Sequence, residues 1–144
     1  MKIRIEYIKE GEDEVVLRCK EINDEIVEIM SLLNMKKRKI SGEKAGVIHL
    51  LEPSHIYYFE SVDHVVFAYT EDDVYKTAST LSELETSLCD IGFFRCSKSM
   101  IINLKEITSL KSEIGNRIDA TMRNSEHIVI SRHYAKRFRE VIQT

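Results

Sequence analysis

From Val47 to Ile130 the apolar residues of this chain come in runs of four to six, each closed by a short polar break, and that spacing excludes most folds. The runs are Val47 to Leu51, Ile56 to Glu60, Val65 to Tyr69, Val74 to Thr77, Phe94 to Ser97, Met100 to Leu104, Ile107 to Leu110, Arg117 to Met122 and His127 to Ile130. They are rich in β-branched and aromatic residues, which fit a pleated, half-buried surface. Breaks such as Thr70-Glu71-Asp72-Asp73, Lys111-Ser112-Glu113 and Arg123-Asn124-Ser125 are too short for the crossover helix that a parallel pair needs. The expected fold is therefore mainly β, α+β overall, built from antiparallel sheets with short helices.

Three helices interrupt the strands. Asn23 can cap the first, with Asp24 and Glu25 in its first turn, Ile26, Ile29, Met30 and Leu33 along one face, and Ile22 placed to staple against Val27. Asn34 and Lys36-Lys37-Arg38-Lys39 end it; the four cations suit either phosphate or a solvated helix end. Thr80-Leu81-Ser82-Glu83 is a capping box that opens the second helix. Leu81, Leu84, Leu88 and Ile91 form its core stripe, and Gly92 supplies the left-handed stop. Ser131 stands as N-cap of the third, Arg132 to Gln143, whose apolar stripe is Tyr134, Phe138, Val141 and Ile142.

Ahead of these, Ile3, Ile5 and Tyr7 alternate with charged residues, and a second apolar run covers Val15 to Cys19, which reads as a hairpin with one buried face. The division expected is an N-terminal hairpin and helix over residues 1–44, serving dimerisation or regulation, and a main unit over 45–144. Pro53 biases Glu52 toward extended backbone and marks where the one gives way to the other.

Charge narrows the function. The net charge of −3 conceals ten Lys and Arg against five Asp and Glu from Gly92 onward, a balance of +5, and eleven against nineteen before it. A basic half points to a polyanion, nucleic acid first. No apolar run is long enough for a membrane helix, and three cysteines without metal-ligand spacing fit a reducing cytoplasm. Neither a nucleophile elbow, a phosphate-binding glycine loop nor a His-Glu-x-x-His pattern occurs, so no catalytic, metal or cofactor residues are expected. Cys96, flanked by Arg95 and Lys98, is the one candidate for thiol chemistry, set against its reading as a small buried hydrophobe.

Candidate contacts to a polyanion lie at turns. Lys98 and Ser99 occupy a hairpin tip, and His64 lies in a turn beside Asp63. Arg132 and His133 open the last helix, where the helix dipole adds to their charge, and Lys136 follows on the polar face. Arg137 and Arg139 read as solvated surface.

The order Ile56-Tyr57-Tyr58-Phe59-Glu60-Ser61, the capped helix from Thr80, Phe93-Phe94-Arg95-x-x-Lys98-Ser99-x-Ile101-Ile102-Asn103, Ile107, and Ser131-Arg132-x-Tyr134 resembles the LytTR-type DNA-binding domain of bacterial transcription regulators. The resemblance spans roughly residues 45–144. It implies an elongated β fold that reads double-stranded DNA through loops entering successive grooves, as a homodimer on repeated half-sites. His64, Lys98, Ser99, Arg132, His133 and Lys136 then become DNA-facing, with Arg and Lys suited to guanine O6 and N7 and with Ser99, Arg132 and Lys136 also suited to phosphate. Asn103 matches the motif as a structural turn residue. Ser97 replaces a frequent His, and Met100 and Val129 replace a frequent aromatic and Pro, the latter two as packing changes. Many relatives carry a phosphorylatable receiver domain, too large for the residues ahead of the match, so phosphorylation by a partner kinase is not implied. The competing expectation is a protein–protein interaction module of a regulatory complex.

Overall fold

In the computed structural model, which describes residues 1–35 and 38–143, side-chain alternation along the strands builds two cores, one on each face of a single large sheet. The elements are α1 (Asp24–Met35), β1 (Ile40–Lys44), β2 (Val47–Leu51), β3 (Ile56–Val62), β4 (Val65–Thr70), β5 (Val74–Thr77), α2 (Leu81–Leu88), β6 (Phe93–Arg95), β7 (Met100–Asn103), β8 (Ile107–Glu113), β9 (Arg117–Met122), β10 (His127–Ile130) and α3 (Arg132–Ile142). Seven strands form one sheet in the order β2-β1-β5-β4-β3-β7-β6, and three form a second, β10-β9-β8. Every pairing is antiparallel, as the short connections require.

Phe93 and Ile101 face α2, where they meet Leu81, Leu84, Leu88, Ile56 and Phe59. Their neighbours Phe94 and Ile102 face the other way, against Ile118, Ala120, Met122, Ile128 and Ile130 of the small sheet and Ala135 and Phe138 of α3. A bulge between Ile56 and Tyr58 explains how Ile56 and Phe59, three apart, share a face while Tyr57 and Tyr58 both turn to the second core. Tyr58 stacks on Tyr69 across the β3–β4 pair, ring centroids 4.4 Å apart.

The second helix follows its sequence signals closely. The Thr80 hydroxyl accepts the Glu83 N–H and donates to the Glu83 carboxylate, its three core leucines are buried, and Gly92 stops the chain at φ 95°. In α1 the Asn23 side chain accepts the Ile26 N–H. Among the described side chains of this helix only Ile26 is buried; Ile22 and Val27 are 71% and 50% exposed, so the expected staple does not close.

Four further expectations are revised. No strand forms in residues 1–23, and Ile3 and Tyr7 stand more than nine-tenths exposed. The alternation is present, but two strands without a third or a helix over their apolar face bury too little to hold. Lys36 and Lys37 lie outside the described residues. Arg38 and Lys39 do not decorate a solvated helix end: Arg38 grips Asp90 with both terminal nitrogens at 2.8 and 2.9 Å and also reaches the Ser87 carbonyl, and Lys39 pairs with Glu52 at 2.7 Å. Residues 40–44 form a strand of the main sheet, closely paired with β2. Gly42 is buried there with Tyr75 and Leu51 so close that an added Cβ would lie 2.7 Å from each, so the position admits no larger side chain without a shift. Pro53, buried in a short 3-10 turn after an extended Glu52, stands between β2 and β3. Finally, Lys111-Ser112-Glu113 continues β8 instead of breaking it.

Candidate nucleic-acid interface

Three turns meet at one end of the large sheet. β3 and β4 are joined through Asp63 and His64, both left-handed at φ 51° and 65°, the two-residue hairpin geometry that matches strand twist. Asp and His tolerate that region better than β-branched residues do. β6 and β7 are joined through residues 96–99, where the Cys96 N–H donates to the Met100 carbonyl at 3.1 Å. Because β3 pairs with both β4 and β7, the two tips lie side by side, and the Ser61 N–H donates to the Ser99 carbonyl at 2.8 Å. The start of α3 is fastened to the same tip: the Ser131 N–H donates to the Cys96 carbonyl at 2.9 Å.

Two backbone hydrogen bonds thus gather the turn of His64, the tip of Lys98 and Ser99, and the first turn of α3 with Arg132 and His133. Lys136, one turn further, shares a helix face with Arg132. All six residues are exposed. Among the described residues Lys98, Arg132 and Lys136 have no carboxylate partner, whereas Arg38, Lys39, Lys44, Arg95 and Arg123 each sit in an ion pair. The His133 ring packs edge-on against Tyr134, and the Ser131 hydroxyl makes no capping bond to the helix it precedes. The site is an exposed end of the sheet carrying cations without carboxylate partners among the described residues.

The opposite end of the sheet has the other sign. There the β4–β5 turn carries Glu71, Asp72 and Asp73, of which Asp73 is bonded to Lys44.

Below the tip the groups are structural. Cys96 is fully buried, and burial pushes its thiol up to about 12, so at neutral pH it is a protonated hydrophobe of the second core and no nucleophile. Asn103 is fully buried, donating its amide to the Ile56 carbonyl at 2.9 Å and accepting the Lys105 N–H at 3.1 Å, which is the turn role its motif position implies. Met100 packs against the second core, while Val129 is 42% exposed on the edge strand β10 and fills no core. Ser97 shapes the tip itself: its hydroxyl accepts the Ser99 N–H at 3.2 Å. Among the described residues no group of His, Cys, Asp and Glu is placed to hold a metal ion.

A family model for the LytTr DNA-binding domain matches residues 46–143, more than half of the chain. The chain belongs to the LytTr family. The solved LytTr DNA-binding domain of a Bacillus cereus protein superposes with a TM-score of 0.70 at 23% identity, covering 74% of this chain and 97% of that one, which makes the LytTr fold common to both. A Staphylococcus aureus protein (strain MSSA476) named as an uncharacterized HTH-type transcriptional regulator is 28% identical over 134 residues, 92% of this chain and 90% of its own length. That alignment is longer than the LytTr match, so it reaches into the residues ahead of position 46. The sensory transduction protein LytT of Enterococcus faecalis is 25% identical over 121 residues; this chain spans about half its length.

The six candidate residues expected from the sequence all lie at these gathered turns or one helical turn beyond them. What holds them together, the Ser61 and Ser131 amides, leaves no motif, and neither does the Arg95–Glu85 ion pair. Backbone bonds between distant turns leave no signature in residue type.

Proposed function

We propose that this LytTr protein is a sequence-specific transcriptional regulator that contacts double-stranded DNA through His64, Lys98, Ser99, Arg132, His133 and Lys136. The observation that supports it is the convergence of three turns at one end of the sheet, carrying cations without carboxylate partners, in a chain of a DNA-binding family. In this reading Lys98 and Arg132 donate to guanine O6 and N7, and the start of α3, with its partial positive charge, and Ser99 hold phosphates. The protein acts in the cytoplasm as a homodimer on repeated half-sites. Support for the dimer comes from α1, whose Val27, Met30 and Leu32 remain at least two-fifths exposed. A monomer at every concentration in sedimentation, with and without DNA, would remove that part.

The test is fluorescence anisotropy with a duplex that the protein itself enriches from a randomised pool, over a salt series and against a scrambled duplex. Lys98→Ala and Arg132→Ala are expected to weaken specific binding by about 1–3 kcal/mol for each lost bidentate contact, and the wild-type affinity is expected to fall with salt. Unchanged affinity in both variants would overturn these contacts. No enrichment of any duplex would favour the interaction module instead, with the exposed apolar residues 3–19 as its surface.

A further inference from the structure

Arg95 ends β6 at the edge of the sheet, beside the tip, and each nitrogen of its guanidinium is engaged. Nε donates to the Ser97 carbonyl at 2.8 Å, Nη2 to the Lys98 carbonyl at 2.5 Å, and Nη1 to Glu85 Oε2 of α2 at 3.1 Å. Its side chain is only 18% exposed. Position alone would make this cation a phosphate contact. Three of its five N–H donors already serve protein acceptors around the tip, which gives it another use.

The two carbonyls belong to the peptide planes immediately before and after Lys98. Fixing both planes fixes the backbone dihedrals of Lys98 between them, and with these the direction of its Cα–Cβ bond. A planar fork suits this work; an ammonium, a point donor on a flexible stem, does not hold two carbonyls in one geometry. Glu85 anchors the fork to α2, and α2 is anchored in turn by three buried leucines. Neighbouring bonds complete the frame: the Ser99 N–H meets the Ser97 hydroxyl, and the Ser99 carbonyl meets the Ser61 N–H.

We infer that Arg95, held by Glu85, is a positioning residue that sets the Lys98–Ser99 tip before a duplex arrives. It touches no DNA itself. The inference rests on the DNA-binding reading above and adds to it a reason why the tip is rigid: a tip ordered in advance loses less conformational entropy on binding.

Two measurements test it. In the DNA-free protein, backbone amide relaxation of residues 97–99 should show greater mobility in Arg95→Lys than in wild type, with β3 and β7 unchanged. With the enriched duplex, Arg95→Lys should bind about tenfold more weakly, the order of one residue's backbone freedom, while binding to the scrambled duplex stays as it was. The double variant with Lys98→Ala should bind no more weakly than Lys98→Ala alone, since the fork acts through Lys98. Should Arg95→Lys fail to fold, Glu85→Gln carries the same comparison with a smaller loss. Unchanged order at 97–99, or losses that add in the double variant, would overturn the positioning role. A wild-type protein that enriches no duplex would overturn the DNA-binding reading instead, a result distinct from either.

Discussion

At the scale of single residues, the side chains that a motif makes conspicuous divide into those that hold the frame and those that face outward. Asn103 belongs to the frame. Its amide serves the Ile56 carbonyl in a site with no water access, so Asn103→Ala should destabilise the protein by about 1–3 kcal/mol, the cost of a buried acceptor left unpaired, measured by urea unfolding. A loss within 0.5 kcal/mol would show that the carbonyl finds another donor. Cys96 is likewise inside. Native protein at pH 8 should react with a thiol reagent at Cys19 and Cys89, both exposed, and not at Cys96, which should react only on unfolding. Rapid modification of all three would contradict its burial and reopen thiol chemistry. Lys98 and Arg132 face outward, and nothing in the fold needs their charge.

Among the elements, legibility followed how much of the stabilising contact was local. The strands from Val47 onward were readable because β-branched and aromatic residues recur in short runs, and α2 because its cap, stripe and stop all lie within thirteen residues, Thr80 to Gly92. β1 was not readable: Ile-Ser-Gly-Glu-Lys has little strand preference, and it forms because β2 and Tyr75 lie beside it. The converse failure is Ile3 to Cys19, where a strand-like pattern has no surface to pack on. Arg38 was legible only as a charge. Its bidentate pair with Asp90 ties the chain after α1 to the end of α2 and holds the Asp90 carboxyl below the usual carboxylate range, chiefly through that hydrogen bond. A lowered folded-state value means stability that is present above the unfolded value near 4 and lost as pH falls through the folded one. Asp90→Asn should therefore be less stable than wild type at pH 7, and the gap should close as pH falls below about 4, in urea unfolding at each pH. A gap independent of pH would assign the loss to packing rather than to the ion pair.

For the molecule as a whole, the antiparallel topology creates two ends of opposite character. Turns 62–65 and 96–99 and the start of α3 make the cationic end; turns 44–47 and 70–73 make the other, where Lys44 is taken up by Asp73. The members of the cationic end are far apart in sequence, at positions 64, 98 and 132, and the sheet register brings them together. That assembly was legible only through resemblance to a family, because no local pattern records which turns become neighbours. The most direct measurement is amide chemical-shift mapping of the full chain as the enriched duplex is titrated in. The expected result is perturbation confined to residues 61–64, 97–99 and 131–136, with residues 44–47 and 70–73 unmoved. Perturbation centred on the acidic end, or none at saturating duplex, would contradict DNA binding through the gathered turns.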